Sequence, residues 1–119
     1  RLFHMVDSTW ADYRPQCLSE GGAIFDRSDP SILLSKEVCH LFGLDYAFNQ
    51  ITPTHLIQLI LKFPADLLWF GGVGTFVKSS EESHHQVQDS LNDWIRVDAN
   101  QLKTRVIAEG ANLAMTSKA

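Results

Sequence analysis

Two glycine-bearing turns hold the residues of this chain best suited to chemistry with a ligand. One follows the short apolar run Asp66-Leu67-Leu68-Trp69-Phe70 and reads Gly71-Gly72-Val73-Gly74-Thr75; the other, Glu109-Gly110-Ala111-Asn112, ends the stretch Val106-Ile107-Ala108. In open parallel sheets ligands sit beyond the carboxyl ends of the strands, where a glycine lets them approach the backbone closely. Asn112 carries an amide that both donates and accepts, suited to a carboxamide or a ribose hydroxyl. Spacing alone favours a plainer role for it, an Asn tolerated in a left-handed turn after Gly110. Glu109 is a carboxylate without a partner in sequence and reads as a solvated strand end, with no catalytic role assigned.

The glycine run also invites a phosphate-binding reading, which its details oppose. Gly72-Val73-Gly74-Thr75-Phe76-Val77 departs from GxGxxG at the last position, and Lys78-Ser79-Ser80 follows where an apolar helix would be needed. A glycine turn that merely takes the chain out of a crowded sheet is the competing reading. Other chemistries have less support. His84 and His85 are adjacent, so on a helix they point in different directions and make no metal pair, and His4, His40 and His55 lack ligand-spaced companions. Cys17 and Cys39 stand alone, which suggests reduced thiols of a cytosolic protein and neither a disulfide framework nor a zinc site. No GxSxG elbow is present. Trp10, Trp69 and Trp94 are too far apart for a base-stacking platform. Lys and Arg are scattered and the formal net charge is −4, so the footprint of a nucleic-acid binder is missing. Each apolar run is broken well before the roughly 20 residues of a membrane span, and no signal peptide is visible at the amino end.

These turns need elements to position them. A chain of 119 residues, 45% of them hydrophobic, can bury a core, and one folding unit over residues 1–119 is expected. The run 66–70 is nearly all apolar, the form of a strand covered by helices on both faces, and 106–108 reads as a second buried strand. Ser35 can cap a helix bearing Val38, Leu41 and Phe42, stopped by Gly43. Thr52 and Pro53 open a clearer helix whose face is Leu56, Ile57, Ile60 and Leu61. A short capped turn is expected over 8–13, an extended stretch over 23–25, a surface helix within 79–93 with Val87, Leu91 and Trp94 on one face, and a turn capped by Asp98 through Leu102. Helices alternating with short apolar strands indicate an α/β fold, a short parallel sheet with flanking helices.

Three ordered blocks resemble the large bacterial NAD-specific glutamate dehydrogenases. The first is Ser19-Glu20-Gly21-Gly22 with Phe25, Arg27-Ser28, Ser31-Ile32 and Leu34-Ser35. The second runs from Asp66 through Lys78 and on to Ser83-His84; the third joins Asn92-Asp93 and Arg96-Val97-Asp98 to Glu109-Gly110-Ala111-Asn112-Leu113 and Thr116. The resemblance implies oxidative deamination of L-glutamate to 2-oxoglutarate and ammonium, with hydride passing to NAD, by a cytoplasmic enzyme that is a homo-oligomer at full length. The start at Arg1 and not Met, with the stop at Ala119, suggests an excised segment, and the resemblance implies that it is the later half of a Rossmann-like nucleotide-binding domain, expected to be inactive alone. Asn112 then lies near the nicotinamide end of the cofactor, and Gly71 and Gly72 under the nicotinamide ribose. The family's phosphate-binding turn and its substrate-domain lysine and aspartate have no matching positions here and are expected upstream. Departures are Pro30, where the family often has Lys, Gln88, where Gly is common, and the ending Ser117-Lys118-Ala119. The missing parts leave a second reading open, a non-catalytic interaction or regulatory module descended from such a domain.

Overall fold

A computed structural model describes residues 6–12, 15–110 and 113–119. The chain divides into two compact units, Arg1–Pro53 and Thr54–Ala119. Its architecture is mixed α/β, with one antiparallel and two parallel pairs of short strands.

In the first unit, helix α1 (Lys36–Phe42) forms where its caps predict. Ser35 is extended, its hydroxyl accepts from Val38 N at 3.2 Å, and Gly43 ends the helix at φ 66°. The same hydroxyl donates to the Gly21 carbonyl at 2.8 Å, tying the preceding turn to the helix start. Cys39 is buried and Leu41 exposed, the reverse of the expected face. The two flank the Val38–Phe42 stripe on opposite sides, so helical periodicity does not distinguish them. Residues 23–25 join no strand ladder; the ladder is instead β1 (Ile32–Leu33) antiparallel to β2 (Gln50–Ile51). Asn49 fixes that pairing, accepting from Leu34 N at 2.9 Å and donating its amide to the Leu34 carbonyl at 3.0 Å. Ile32 and Leu34 are buried while Leu33 faces out, the alternation of a strand. Of the turn expected over 8–13, Trp10–Asp12 forms a 3-10 turn closed by the Asp12 carboxylate on Thr9 N at 2.6 Å; Tyr13 lies outside the described residues.

Helix α2 (Pro53–Leu61) starts at Pro53 as the sequence predicts, but Ile60 is exposed and Leu61 carries the burial. Strand β3 (Leu67–Phe70) runs parallel to β6 (Val106–Glu109), with Leu67 opposite Val106 and Phe70 opposite Glu109. A second parallel pair, β4 (Val77–Lys78) and β5 (Val97–Asp98), is too short to announce itself by periodicity. Leu61, Phe70, Val77, Val97 and Ala114 form the core, with Ile57, Leu68 and Phe76 packed on it and the Phe70 and Phe76 rings stacked at 6.0 Å. Alternation then directs Leu67 and Trp69 away from that core, and they are 53% and 61% exposed. The expectation of cover on both faces therefore does not hold within this chain.

The surface helix expected within 79–93 shrinks to α3 (His84–Val87). Ser83 and Gln86 form a capping box at its start, and Gln88 ends it in the left-handed region at φ 60°. Leu91 and Trp94 are exposed, whereas Asn92, Ile95 and Arg96 are buried. A polar network, not an apolar stripe, organises this stretch. The turn after Asp98 is a 3-10 turn, Ala99–Gln101, and the Asp98 carboxylate pairs with buried Lys78.

Gln88 holds a left-handed conformation at φ 60°, which penalises any residue with a Cβ. Gln88→Gly is expected to raise stability by about 1 kcal/mol, measured as an increase in the urea midpoint at unchanged m-value.

Candidate functional site

The parallel register brings the two glycine turns side by side. Phe70 is opposite Glu109, so Gly71 and Gly110 leave the pair at one edge, where Gly110 N donates to the Phe70 carbonyl at 2.8 Å. A Cβ at Gly71 would lie 3.2 Å from Trp69 Nε1, and one at Gly110 would lie 2.9 Å from Trp69 Cζ2. The exposed indole of Trp69 thus rests against both glycines, and their missing side chains make its seat. A Cβ at Gly72 would meet nothing within 4 Å. Gly74 is the glycine this turn cannot replace: its φ is 125°, and a Cβ would fall 2.6 Å from Asn92 Nδ2. Of the residues singled out from sequence, Gly71 and Gly72 lie at this shared edge; Asn112, like Ala111, lies outside the described residues.

Beyond the glycines the two turns are joined through Thr75 and Ala114. The Thr75 hydroxyl donates to the Leu113 carbonyl at 2.8 Å, and Phe76 N and Val77 N donate to the Ala114 carbonyl at 2.8 and 3.1 Å. Ala114 N in turn donates to the Glu109 carboxylate at 2.9 Å. Glu109 is exposed, as its sequence context suggests, yet its carboxylate spans the second turn from strand end to return segment. Further on, the Glu82 carboxylate accepts from the Thr116 hydroxyl and from Ser79 N at 2.9 Å, and these bonds, the Thr116 one foremost, hold its pKa below the ordinary glutamate value.

Behind the first turn lies a buried guanidinium that the sequence reading did not single out. The Arg96 side chain is fully buried; its Nε donates to the Thr75 carbonyl at 2.9 Å, Nη2 to the Asp89 carbonyl at 2.5 Å and Nη1 to Asp93 at 2.5 Å. His84 Nδ1 is 3.0 Å from Nη1. A guanidinium only donates, so Nδ1 is the acceptor in this contact. Asp89 completes the ring of contacts, accepting from Thr75 N at 2.8 Å and from the Asn92 amide at 2.7 Å. An Arg between the apolar residues Ile95 and Val97 was the available signal, since a charge in such a position has to be paired inside. Beside this network lies an open hollow of about 330 Å³ lined by His84, His85, Gln88, Asp89, Ser90 and Asp93, none of which belongs to either glycine turn. Among the described residues no group of three His, Cys, Asp or Glu side chains could hold a metal ion.

The glycine edge presents open backbone at Gly72. Its carboxylates Asp89 and Glu109 accept from backbone amides, and among the described residues no acid and base pair faces that edge. Removing the guanidinium leaves the Thr75 and Asp89 carbonyls and the Asp93 carboxylate without their donor. Arg96→Ala is therefore expected to cost about 3–5 kcal/mol, and Arg96→Lys should restore only a minor part, because a point charge cannot reach several divergent acceptors. Chemical denaturation of the two variants checks both.

Comparison with known proteins is consistent along the whole chain. The family model described as bacterial NAD-glutamate dehydrogenase, catalytic domain, matches residues 1–119. The NAD-specific glutamate dehydrogenase of Pseudomonas aeruginosa is 48% identical over 119 residues, 100% of this chain and 7% of that protein. That of Halomonas elongata is 43% identical over 118 residues, 99% of this chain and 7% of its own length. The Mycobacterium tuberculosis protein of the same name is 40% identical over 121 residues, covering 98% and 8% respectively. The chain thus spans less than a tenth of each of these relatives.

Proposed function

The chain belongs to the bacterial NAD-glutamate dehydrogenase catalytic-domain family, and we propose that it serves as the later part of a Rossmann-like NAD-binding domain within a longer enzyme. That enzyme oxidatively deaminates L-glutamate to 2-oxoglutarate and ammonium. The observation that carries this reading is the parallel β3–β6 pair, whose register ends both strands at a glycine on one edge. Carboxyl ends of parallel strands are where such sheets take their ligands.

The residues of the edge fit a nicotinamide ribose. Gly72 has open space where a Cβ would stand, so a flat ligand can lie on the backbone there. Gly71 forms the floor beside it, shared with the Trp69 indole. Asn112 is assigned to the nicotinamide end on the strength of the Glu-Gly-Ala-Asn resemblance. When bound, NAD supplies the acceptor for the hydride that leaves glutamate. This chain's own contribution is binding and orientation, which lower the cost of bringing two reactants together. None of its residues is assigned an acid or base role; those groups belong to the rest of the parent.

The proposal extends to a homo-oligomeric parent working in the cytoplasm. The exposed apolar residues Leu67, Trp69 and Val106 support contact with further protein on that face of the β3–β6 pair. Among the described residues no helix is long and apolar enough to cross a membrane.

Gly72 separates a role in binding from a role in folding, since a Cβ there strains nothing. In the parent enzyme Gly72→Ala is expected to leave the thermal midpoint unchanged and to raise KM for NAD about tenfold, equivalent to about 1.4 kcal/mol. Steady-state kinetics with L-glutamate and NAD checks this. A parent enzyme that oxidises no glutamate with NAD would refute the proposal.

A further inference from the structure

All three polar groups of Thr75 are engaged, and they join two different segments of the chain. Its N–H donates to Asp89 at 2.8 Å and its carbonyl accepts from Arg96 at 2.9 Å, which fixes its backbone on the Arg96 side. Its hydroxyl points the other way and donates to the Leu113 carbonyl at 2.8 Å. Leu113 has a φ of 58°, a left-handed conformation that is costly for a residue with a Cβ. The Leu113 side chain is 60% exposed, so its own burial offsets little of that cost. Contacts to the neighbouring backbone hold it instead: Thr75 on its carbonyl, and Glu109 on the next N–H at 2.9 Å.

We propose that Thr75 is a positioning residue that latches the Gly71–Gly74 turn to the Leu113 segment, so that the two halves of the cofactor edge keep one geometry. This inference rests on the functional reading above, because it assigns the latch to the nicotinamide end of NAD. The Arg96 network holds the latch from behind, and the strained Leu113 is the part it holds. Without the hydroxyl, Leu113 is free to relax toward negative φ, and the chain around it loses its alignment with the glycine turn.

The test uses the full-length parent enzyme. Thr75→Val keeps the shape and removes the donor, whereas Thr75→Ser keeps the donor. T75V is expected to raise KM for NAD about fivefold, the worth of one lost hydrogen bond, while KM for glutamate stays unchanged. T75S should return KM for NAD to the unsubstituted value. Amide hydrogen exchange over 113–116 should be faster in T75V and normal in T75S. Turnover by the unsubstituted enzyme with an unchanged KM for NAD in T75V would overturn the latch alone, as would equal losses in T75V and T75S. No NAD-dependent glutamate oxidation by the unsubstituted enzyme would overturn the functional reading and the latch with it.

Discussion

Parallel strands cannot be joined by a tight turn; the chain has to leave one end of the pair and return to the other. In this protein that requirement falls on residues 71–105, between β3 and β6. The excursion is not one crossover helix. It leaves through the glycine turn, forms β4, the one-turn helix α3 and β5, and returns through a 3-10 turn and the Thr104–Arg105 approach to β6. Arg105 N and Val106 N donate to the Ala65 and Asp66 carbonyls at 3.1 and 3.0 Å, aligning the two strands from their first residues. Everything at the far end, including the adjacency of Gly71 and Gly110, follows from that register.

A long, irregular excursion carries many backbone groups, and each one buried has to find a partner. Backbone bonds meet most of that need, and Arg96 and Asp89 meet it at the glycine-turn exit. Between them they engage both backbone groups of Thr75, the Asp89 carbonyl and the Asn92 amide. The cost of burying a guanidinium is offset by several charge-assisted bonds at once, and the result is a fixed exit for the glycine turn. The apolar core of the same unit lies on one face of β3 only. Its other face, with Leu67 and Trp69, is exposed.

What the sequence made legible was whatever depends on neighbours in the chain. The Ser35 cap and Gly43 stop of α1, Pro53 opening α2, and the apolar runs of β3 and β6 are local signals, and each element formed where they lie. The two-residue strands β1, β2, β4 and β5 were not legible, because pairing across the fold defines them and so short a run has no periodicity. The apolar spacing of Val87, Leu91 and Trp94 misled, because the buried contacts of Asn92 and Arg96 required a different course for that stretch. At the site, the glycine turns were legible as strand ends. Their division of labour was not: Gly74 carries the backbone requirement, Gly71 and Gly110 seat an indole, and Gly72 alone of these faces open space. Thr75 and Arg96 matter through non-local bonds, which a linear reading does not contain.

On the proposed reading the glycine edge is one half of a site that holds and orients NAD. Membership of the family is the ground for proposing the nicotinamide end of NAD as the occupant of that edge. A structure of the parent enzyme with NAD bound would test this most directly. The account predicts the nicotinamide ribose in contact with the Gly71-Gly72 backbone, between the ends of β3 and β6. NAD bound elsewhere, with no contact to residues 71–75 or 110–113, would contradict it.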